Sequence, residues 1–308
     1  MSFQLQPQPG QAYLAIEGLE HLLVEELAGH PYTRYERLFV VGTARESTLY
    51  WYENCWEELY RIDFSSISTG AKALRSLQRS WWPYLWQQYR RGTLLQEALP
   101  HVSADPLSFG GVPLSSALGS WTLLSPQEML ASPRCASTRP QGRWDFVEDK
   151  LGPPSRAYLK LWEVFTRFAQ QPQAGDLCLD LGASPGGWTW VLERLGAQII
   201  AVDRSPLRED LMHSPRVEFR RGDAFGVSPA QLDAAQWLFC DVICYPHKLY
   251  DFIVAKVMPS SLKHAVCTLK FQGNSDQRGL IAQFAALPQS MVVHLSANKH
   301  ELTWILTR

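Results

Sequence analysis

The chain reads Asp180-Leu181-Gly182-Ala183-Ser184-Pro185-Gly186-Gly187-Trp188 at the point where an apolar run ends and a helical pattern begins. Glycines in such a turn let the backbone adopt a positive φ and let a ligand approach the main chain closely. The free amide groups at the start of the following helix attract an anionic group, here a carboxylate rather than a phosphate. The stretch lacks the G-x-G-x-x-G spacing of a dinucleotide site, and its central proline is unlike a P-loop. We therefore predict a loop that binds a small cofactor of another kind.

Acidic residues stand at or after the ends of three successive predicted strands. Asp180, in the strand before the loop, can hold the ammonium group of an amino-acid moiety. Asp203, roughly 20 residues past the loop, is placed to hydrogen-bond a ribose diol, and Asp223 suits a contact with an adenine amino group. The alternative is a glycine-rich turn that serves only the geometry between sheet and helix. The candidate cofactor-binding residues are Asp180, Gly182, Ala183, Ser184, Pro185, Gly186, Gly187, Trp188, Asp203, Asp223, Ala224 and Asp241.

Strands alternate with helices through the second half of the chain. The hydrophobic pattern predicts helices over 156–168, capped by Ser155, and over 187–195, and strands over 177–181, 198–202, 217–220, 237–240 and 265–269. This alternation predicts an α/β fold with a mostly parallel sheet covered on both faces. Two further strand-like runs, 291–295 and 302–306, predict an antiparallel terminal hairpin, which is unlike a dinucleotide-binding dehydrogenase.

A boundary between two domains is predicted near residues 133–155, where prolines and glycines interrupt the pattern. We expect a small α+β domain at residues 1–140 and a Rossmann-like domain at residues 141–308. The N-terminal pattern is less regular. It predicts a helix over 18–28, a strand over 49–51 and mostly helix over 67–86.

The composition is that of a globular protein, since 46% of the 308 residues are hydrophobic and 19% are charged. No apolar run reaches the ~18 residues of a transmembrane helix, and the polar start of the chain lacks the features of a signal peptide. We expect a cytoplasmic protein that does not enter a membrane. The six cysteines contain no Cys-x-x-Cys pair, so free thiols and no metal site are expected.

The net charge of −1 does not by itself support a nucleic-acid partner. Residues 1–150 carry 13 basic and 16 acidic side chains, and residues 151–308 carry 16 and 14. Within residues 72–91, arginines are interleaved with aromatic side chains, a combination that can contact phosphates and stack on bases. The alternative for this stretch is an amphipathic helix with its aromatic side chains in the core. Basic side chains that could line the rim of the site are Arg204, Arg208, Arg216, Arg220, Arg221 and Lys248.

Four segments occur in an order that is specific when taken together: Ser155-Arg156-Ala157-Tyr158-Leu159-Lys160-Leu161, the stretch 180–188, Ala201-Val202-Asp203-Arg204 and Leu269-Lys270-Phe271-Gln272-Gly273. Through them residues 155–308 resemble the FtsJ-like ribose 2′-O-methyltransferases, above all the bacterial members that methylate cytidine in large-subunit rRNA. The resemblance implies a class I methyltransferase domain that binds S-adenosyl-L-methionine and acts on RNA, with large-subunit rRNA as the expected substrate. It also implies a ferredoxin-like or THUMP-like N-terminal domain. This chain departs from the family in a shorter N-terminal region and in Ser184, where Ala or Cys is more frequent.

The family uses a Lys-Asp-Lys-Glu set, and the matching residues here are Lys160, Asp241, Lys270 and Glu301. The resemblance implies that Lys270 is the general base for a ribose 2′-hydroxyl, that Asp241 orients it, and that Glu301 holds the hydroxyl or Lys160. An amine serves as a base only when its pKa falls below the ordinary ~10.4, which burial and a neighbouring cation both favour. Each member could instead be an ordinary surface residue at the end of a strand. A one-residue slip would replace Glu301 by His300.

Two other functions are compatible with the sequence. The first is a methyltransferase that acts on a small molecule, which a pocket closed by the N-terminal domain would favour. The second is a non-catalytic RNA-binding protein with a vestigial methyltransferase fold, which a blocked cofactor pocket would favour. A monomer is the expected oligomeric state.

Overall fold

The computed structural model describes residues 3–42, 48–110, 117–271 and 277–308. The chain divides into two compact units. Unit 1 consists of Met1–Leu107 and Val112–Asp145, and unit 2 consists of Ser108–Gly111 and Phe146–Arg308. All the candidate site residues therefore belong to unit 2. None of the helices in the described ranges has the length and apolar character needed to cross a membrane.

Unit 1 is built mainly from strands. Its described elements are β1 Gln4–Gln8, β2 Gln11–Ala15, α1 Glu20–Glu26, β3 Tyr32–Tyr35, β4 Leu38–Val41, β5 Tyr52–Trp56, β6 Leu59–Asp63, α2 Ile67–Leu77, β7 Trp81–Pro83, α3 Tyr89–Glu97, β8 Gly119–Ser125, β9 Glu128–Ser132 and a 3-10 turn at Pro140–Gly142. The strands form a five-stranded sheet in the order β1-β6-β9-β8-β7 and a four-stranded sheet in the order β3-β4-β2-β5.

Two hydrophobic clusters stabilise unit 1. The one that contains Trp81 explains why part of the sequence prediction is wrong. The prediction of helix over 67–86 is wrong beyond Leu77, because residues 81–83 pair with β8 as a parallel strand. The Trp81 side chain is fully buried there, and its Nε1 donates to the carbonyl oxygen of Leu74 at 3.1 Å. Burial of this indole against the sheet outweighs the helical spacing. The strand predicted at 49–51 is also misplaced, since the observed strand begins at Tyr52.

Unit 2 alternates strands and helices. Its described elements are α4 Tyr158–Phe168, β10 Leu177–Leu181, α5 Gly187–Arg194, β11 Gln198–Asp203, α6 Glu209–Met212, β12 Val217–Arg221, a 3-10 turn at Ala224–Gly226, α7 Pro229–Ala234, β13 Trp237–Cys240, α8 Pro246–Phe252, a π-helical turn at Ile253–Val257, β14 His264–Lys270, α9 Arg278–Ala285, β15 Ser290–Val293 and β16 Glu301–Thr307. The sheet order is β12-β11-β10-β13-β14-β16-β15.

Neighbouring strands from β12 to β14 pair in parallel. Such strands are buried on both faces, which accounts for their almost uninterrupted apolar sequences. The chain runs outward from β10 through β11 to β12, and then returns to β13 on the other side of β10. The direction of winding thus reverses between β10 and β13. Ligands of such sheets bind beyond the carboxyl ends of the strands at this point.

The final strand, β16, is antiparallel and lies between β14 and β15. In this register Lys270, the last residue of β14, is directly opposite Glu301, the first residue of β16. An antiparallel strand therefore starts at the edge of the sheet where the parallel strands end.

Helix α4 begins two residues later than a cap at Ser155 would require. The N-cap position is occupied by Ala157, which makes no capping hydrogen bond through its side chain. The Ser155 hydroxyl instead lies against Gly187 at the start of α5. The prediction of Ser155 as the N-cap was therefore wrong, because its side chain contacts the neighbouring helix.

A stability test follows from the position of β10 at the centre of the sheet. Leu179 is fully buried, so Leu179→Ala removes apolar contacts and leaves a cavity, and we expect the free energy of unfolding to fall by about 2–5 kcal/mol. Urea denaturation of the full chain measures this. The matched control is Leu151→Ala, at a side chain that is 93% exposed, where a change of less than about 0.5 kcal/mol is expected. Equal losses for both variants would contradict the assignment of β10 to the core.

Candidate active site

A cavity of about 880 Å³ lies at the carboxyl ends of the five parallel strands. Loops that follow β10, β11, β12 and β13 contribute to its wall, and β14 contributes its last residue. The cavity thus lies where the winding of the sheet reverses. It is lined by Ser155, Ala157, Gly182, Ser184, Pro185, Asp203, Arg204, Ser205, Gly222, Asp223, Ala224, Phe225, Asp241, Val242, Ile243, Cys244, Tyr245, Lys248 and Lys270.

The glycine-rich loop allows close packing at the floor of the cavity. Gly182 has a φ of +76°, and a Cβ at this position would lie 2.9 Å from the backbone nitrogen of Val242. Gly186 has a φ of +111° and occupies the N-cap position of α5. The buried Trp188 donates from Nε1 to the carbonyl oxygen of Ala157 at 2.8 Å, which ties α5 to the start of α4. Gly182, Ser184 and Pro185 line the cavity, whereas Trp188 supports the loop from behind.

Two of the predicted acidic residues lie in the wall of the cavity. The Asp203 carboxylate accepts hydrogen bonds from the backbone nitrogen of Ser184 at 3.0 Å and from that of Ser205 at 2.9 Å. Asp223 caps the following 3-10 turn by accepting from the backbone nitrogen of Phe225 at 3.2 Å. These backbone amides hold both carboxylates in position beside Ala224, which also lines the cavity.

Asp180, the third acidic residue, is buried beneath the loop and is not among the cavity-lining residues. Its Oδ2 accepts a hydrogen bond of 2.6 Å from the Thr189 hydroxyl, whereas Oδ1 is buried and accepts none within the described residues. Burial raises the pKa of Asp180 to about 7, and its hydrogen bond with Thr189 partly opposes that rise. A buried acceptor without a partner is costly, so the Oδ1 atom is a candidate contact for a cationic or hydrogen-bonding ligand group.

Four charged side chains from four separate elements converge beside the cavity. Lys160 Nζ lies 3.3 Å from Asp241 Oδ1 and 2.6 Å from Glu301 Oε2. Lys270 Nζ lies 3.0 Å from the same Asp241 Oδ1 and donates to the Asp241 carbonyl oxygen at 2.7 Å. The charges therefore form a chain in the order Glu301, Lys160, Asp241, Lys270. All four residues that the sequence singled out are brought together.

The four charged side chains differ in their access to the cavity. Asp241 and Lys270 line it, whereas Lys160 and Glu301 lie behind them. The Lys160 side chain is only 8% exposed, compared with 17–21% for the other three. The register Lys270↔Glu301 and the 2.6 Å contact with Lys160 identify Glu301, rather than His300, as the acidic member.

Of the predicted basic rim, Arg204 and Lys248 line the cavity. Three others are held by acidic neighbours: Arg208 by Asp210, Arg216 by Glu193, and Arg220 by Glu218. The sixth, Arg221, is exposed at the end of β12 but does not line the cavity. Of the six predicted residues, only Arg204 and Lys248 therefore line the cavity.

The stretch 72–91 in unit 1 contributes mainly to the core. Trp81 and Tyr84 are buried, and the Tyr84 hydroxyl donates to Glu36 at 2.8 Å. Arg91 lies over the ring of Phe64, 5.6 Å from its centroid. Tyr89 is the exception, since it is 61% exposed. Trp82 and Trp86 are half-buried. Two of the five aromatic side chains are thus core residues, as in the alternative considered for this stretch, although the stretch contains a strand and is not one amphipathic helix.

The sequence reading missed several residues of the site. Thr189 is the hydrogen-bond donor to Asp180. Lys256, in the π-helical turn, donates to the carbonyl oxygens of Phe225 and Val227 at 2.8 and 3.0 Å and so holds the loop after β12. The apolar residues 243–245 line the rim. Thr189 and Lys256 act through long-range hydrogen bonds that no local sequence pattern shows, whereas residues 243–245 come shortly after Asp241 in the sequence.

Most of unit 2 is similar in sequence to a known protein family. Residues 153–278 match the FtsJ-like methyltransferases. The resemblance predicted from the sequence is thereby confirmed for this stretch, which contains the glycine-rich loop and Lys160, Asp241 and Lys270. Glu301 lies beyond the matched residues.

Proteins called ribosomal RNA large subunit methyltransferase M are among the similar sequences. The one from Halorhodospira halophila is 37% identical over 120 residues, which is 38% of this chain and 35% of that protein. The one from Shewanella sp. strain MR-4 is 36% identical over 135 residues, or 42% and 37% of the two chains. The one from Marinomonas sp. strain MWYL1 is 30% identical over 166 residues, or 49% and 47%. The matched region thus spans less than half of each relative.

The buried carboxyl of Asp180 generates a prediction about pH. The pKa of this carboxyl is about 7 in the folded protein, compared with its ordinary value of 3.8. Between these two pH values the folded state binds a proton that the unfolded state has already lost. Stability contributed by this group is present below about pH 4 and is lost as the pH rises to about 7. Asp180→Asn, which retains an oxygen acceptor for Thr189, should become more stable relative to the wild type by a few kcal/mol across this interval.

Urea denaturation at half-unit steps from pH 4 to pH 8.5 measures the difference. The matched control is Asp210→Asn, because that carboxylate is exposed and its pKa is lowered by Arg208. A stability difference between wild type and Asp180→Asn that does not change with pH would contradict the raised pKa.

Proposed function

We propose that the protein is an S-adenosyl-L-methionine-dependent RNA methyltransferase that methylates a ribose 2′-hydroxyl. The observation that carries the proposal is the Lys160–Asp241–Lys270–Glu301 cluster, with Asp241 and Lys270 at the cavity wall. The match to the FtsJ-like methyltransferases supports the reaction class. The names of the similar proteins support ribosomal RNA of the large subunit as the substrate. Action in the cytoplasm and as a monomer belongs to the same proposal.

The described residues fit the proposed cofactor. Gly182, which has no side chain, lets the loop after β10 pack closely against Val242 at the cavity. Asp203 and Asp223 offer carboxylate acceptors for a ribose diol and an amino group, and the cavity is large enough for a nucleoside. The orphaned Asp180 Oδ1 supplies an acceptor for an ammonium group. The further loop residues Ala183, Ser184, Pro185, Gly186, Gly187 and Trp188 shape the turn. When bound, the cofactor supplies an electrophilic methyl group attached to a sulfonium.

In the proposed mechanism Lys270 is the general base. After its ammonium has lost a proton to solvent, Lys270 would take the proton of the 2′-hydroxyl and become an ammonium again. The hydroxyl oxygen would form its bond to the methyl carbon as the bond between that carbon and the sulfur of the cofactor breaks. Asp241 accepts the hydrogen bond of that ammonium and fixes its direction, as the 3.0 Å contact supports. Lys160 shares the Asp241 carboxylate and is itself held by Glu301. Lys160 and Glu301 act through Asp241, because they lie behind the cavity wall, and so are positioning residues. Alignment of the reacting atoms supplies a large part of the rate gain.

Unit 1 is proposed to present the RNA. We place the domain division at residues 140 and 141, five residues before the end of unit 1. The order β3-β4-β2-β5, with all pairs antiparallel and α1 between β2 and β3, supports a ferredoxin-like module. No helix is described between β4 and β5, which a complete module of this kind would have in residues 42–51; of these, 43–47 lie outside the described residues.

Methylation of a small molecule is the second candidate, and the exposed basic rim formed by Arg204 and Lys248 favours RNA over it. A non-catalytic role is opposed by the open cavity and the complete charge cluster.

The decisive experiment transfers radiolabelled methyl groups from S-adenosyl-L-methionine to total RNA from a strain that lacks this protein. Lys270→Met should lower the rate by about 10²–10⁴-fold, because the general base is lost, while calorimetry should show unchanged cofactor binding. The matched control is Lys263→Met, since Lys263 precedes the opposite end of the same strand, and full activity is expected. Label should appear in alkali-resistant dinucleotides, which report 2′-O-methylation.

Two results would contradict the proposal. Transfer to RNA that leaves only alkali-labile label would place the methyl group elsewhere than on the ribose. Absence of transfer by the wild type, despite measurable cofactor binding, would exclude RNA as the substrate.

A further inference from the structure

The loop between β13 and α8 exposes apolar side chains at the mouth of the cavity. Ile243 is 80% exposed and Tyr245 is 53% exposed, and both line the cavity. Large apolar side chains are often exposed singly without consequence. Two such side chains that also line the cavity beside Asp241 and Lys270 instead indicate a contact with whatever enters it.

The Tyr245 ring stacks on a neighbouring ring. Its centroid lies 5.7 Å from that of His247, and the two planes are only 17° apart. Because His247 covers one face of the phenol, the exposure of Tyr245 belongs to the other face and the edge. An exposed aromatic face whose opposite side lies on a second ring is suited to stacking on another planar ring.

The backbone of this loop is anchored at both ends. At the start, the Asp241 nitrogen donates to the Leu181 carbonyl at 3.1 Å and the Asp241 carbonyl accepts from Lys270. At the end, Pro246 is buried at the first position of α8, and the Lys248 nitrogen donates to the Tyr245 carbonyl at 3.0 Å. Tyr245 is therefore positioned relative to Lys270 by short backbone links rather than by its own side chain.

The charges beside the ring complement a nucleic acid. Lys248 and Arg204 are exposed, line the cavity and make no ion pair with the described residues. An aromatic face with basic side chains around it is the combination by which proteins bind unpaired nucleotides, since the ring stacks on the base and the cations contact phosphates.

We propose that Tyr245, backed by His247, is the stacking surface for the nucleobase of the nucleotide whose ribose enters the cavity, with Ile243 against the edge of that nucleotide. This subsite rests on the proposed RNA substrate. A nucleobase stacked at the rim would orient its ribose toward Lys270, so Tyr245 contributes to substrate binding and orientation.

The test compares Tyr245→Ala, Tyr245→Phe and Ile243→Ala with the wild type in the methyl-transfer assay on total RNA. Loss of stacking should raise the KM for RNA about 5- to 150-fold in Tyr245→Ala, whereas Tyr245→Phe retains the ring and should change it by less than about threefold. Ile243→Ala should raise KM to a smaller extent. Tyr245→Ala is expected to fold, because the Tyr245 side chain is more than half exposed and makes no capping hydrogen bond. Affinity for the cofactor should be unchanged in all three variants. Met291→Ala, at an exposed side chain of β15 that does not line the cavity, serves as the matched control.

A second measurement locates the contact. Wild-type protein is irradiated with large-subunit rRNA transcripts that contain 5-iodocytidine or 5-iodouridine, and crosslinked peptides are sequenced by mass spectrometry. A crosslink within residues 243–248 that disappears in Tyr245→Ala supports the proposal.

Unchanged KM in Tyr245→Ala, with crosslinks elsewhere, overturns the stacking subsite while leaving the RNA methyltransferase proposal intact; the exposed residues would then serve a protein partner. Absence of methyl transfer by the wild type overturns the function itself and the subsite with it. A KM effect equally large in Tyr245→Phe would also overturn stacking, since the hydroxyl rather than the ring would then be responsible.

Discussion

The carboxylate of Asp241 accepts contacts from two ammonium groups, and the rest of the site is arranged around it. A single buried ammonium or carboxylate is expensive, and removing one partner of a buried pair costs about 3–5 kcal/mol. Here Lys160, almost completely buried, is balanced by Asp241 and Glu301 together. Two cations and two anions form a neutral set. The charges can therefore stand close to an apolar sheet without a metal ion to compensate them, and each constrains the position of the next.

This arrangement depends on the direction of the strands. Asp241 and Lys270 reach the same edge because β13 and β14 are parallel neighbours, with Cys240 opposite Cys267. Glu301 reaches that edge for the opposite reason, because β16 runs antiparallel and starts where β14 ends. A seventh strand added in parallel would have placed its first residue at the far edge of the sheet. The charge cluster therefore requires the antiparallel terminal hairpin. The first residue of β16 also lies against Lys160, on the side away from the cavity.

Unit 2 could be anticipated from the sequence to a greater extent than unit 1. Buried parallel strands such as Trp237–Cys240 are short apolar runs. Because parallel strands all end at the same edge of the sheet, a residue at the end of such a run must lie at that edge. Asp241 and Lys270 could be placed by this rule alone. Glu301 could not, because a one-residue change of register would substitute its neighbour, and register is decided by long-range pairing. In unit 1 the strands are antiparallel and mixed, and Trp81 has helical spacing yet lies in a strand. There, tertiary burial overrides the local pattern.

The contact between Gly182 and Val242 joins the two sides of the cavity. Gly182 belongs to the loop proposed to hold the cofactor, whereas Val242 begins the loop that carries Tyr245. Because their backbones approach closely enough to exclude a Cβ, a shift of either loop must move the other. The Asp241 carbonyl, held by Lys270, lies at the same junction. The proposed general base, the loop proposed to hold the cofactor and the proposed nucleobase surface thus share a few residues of backbone at the ends of β10 and β13. In-line transfer requires that hydroxyl, base and methyl donor be aligned to within a fraction of an ångström, and a rigid shared junction achieves this more directly than separate flexible loops would.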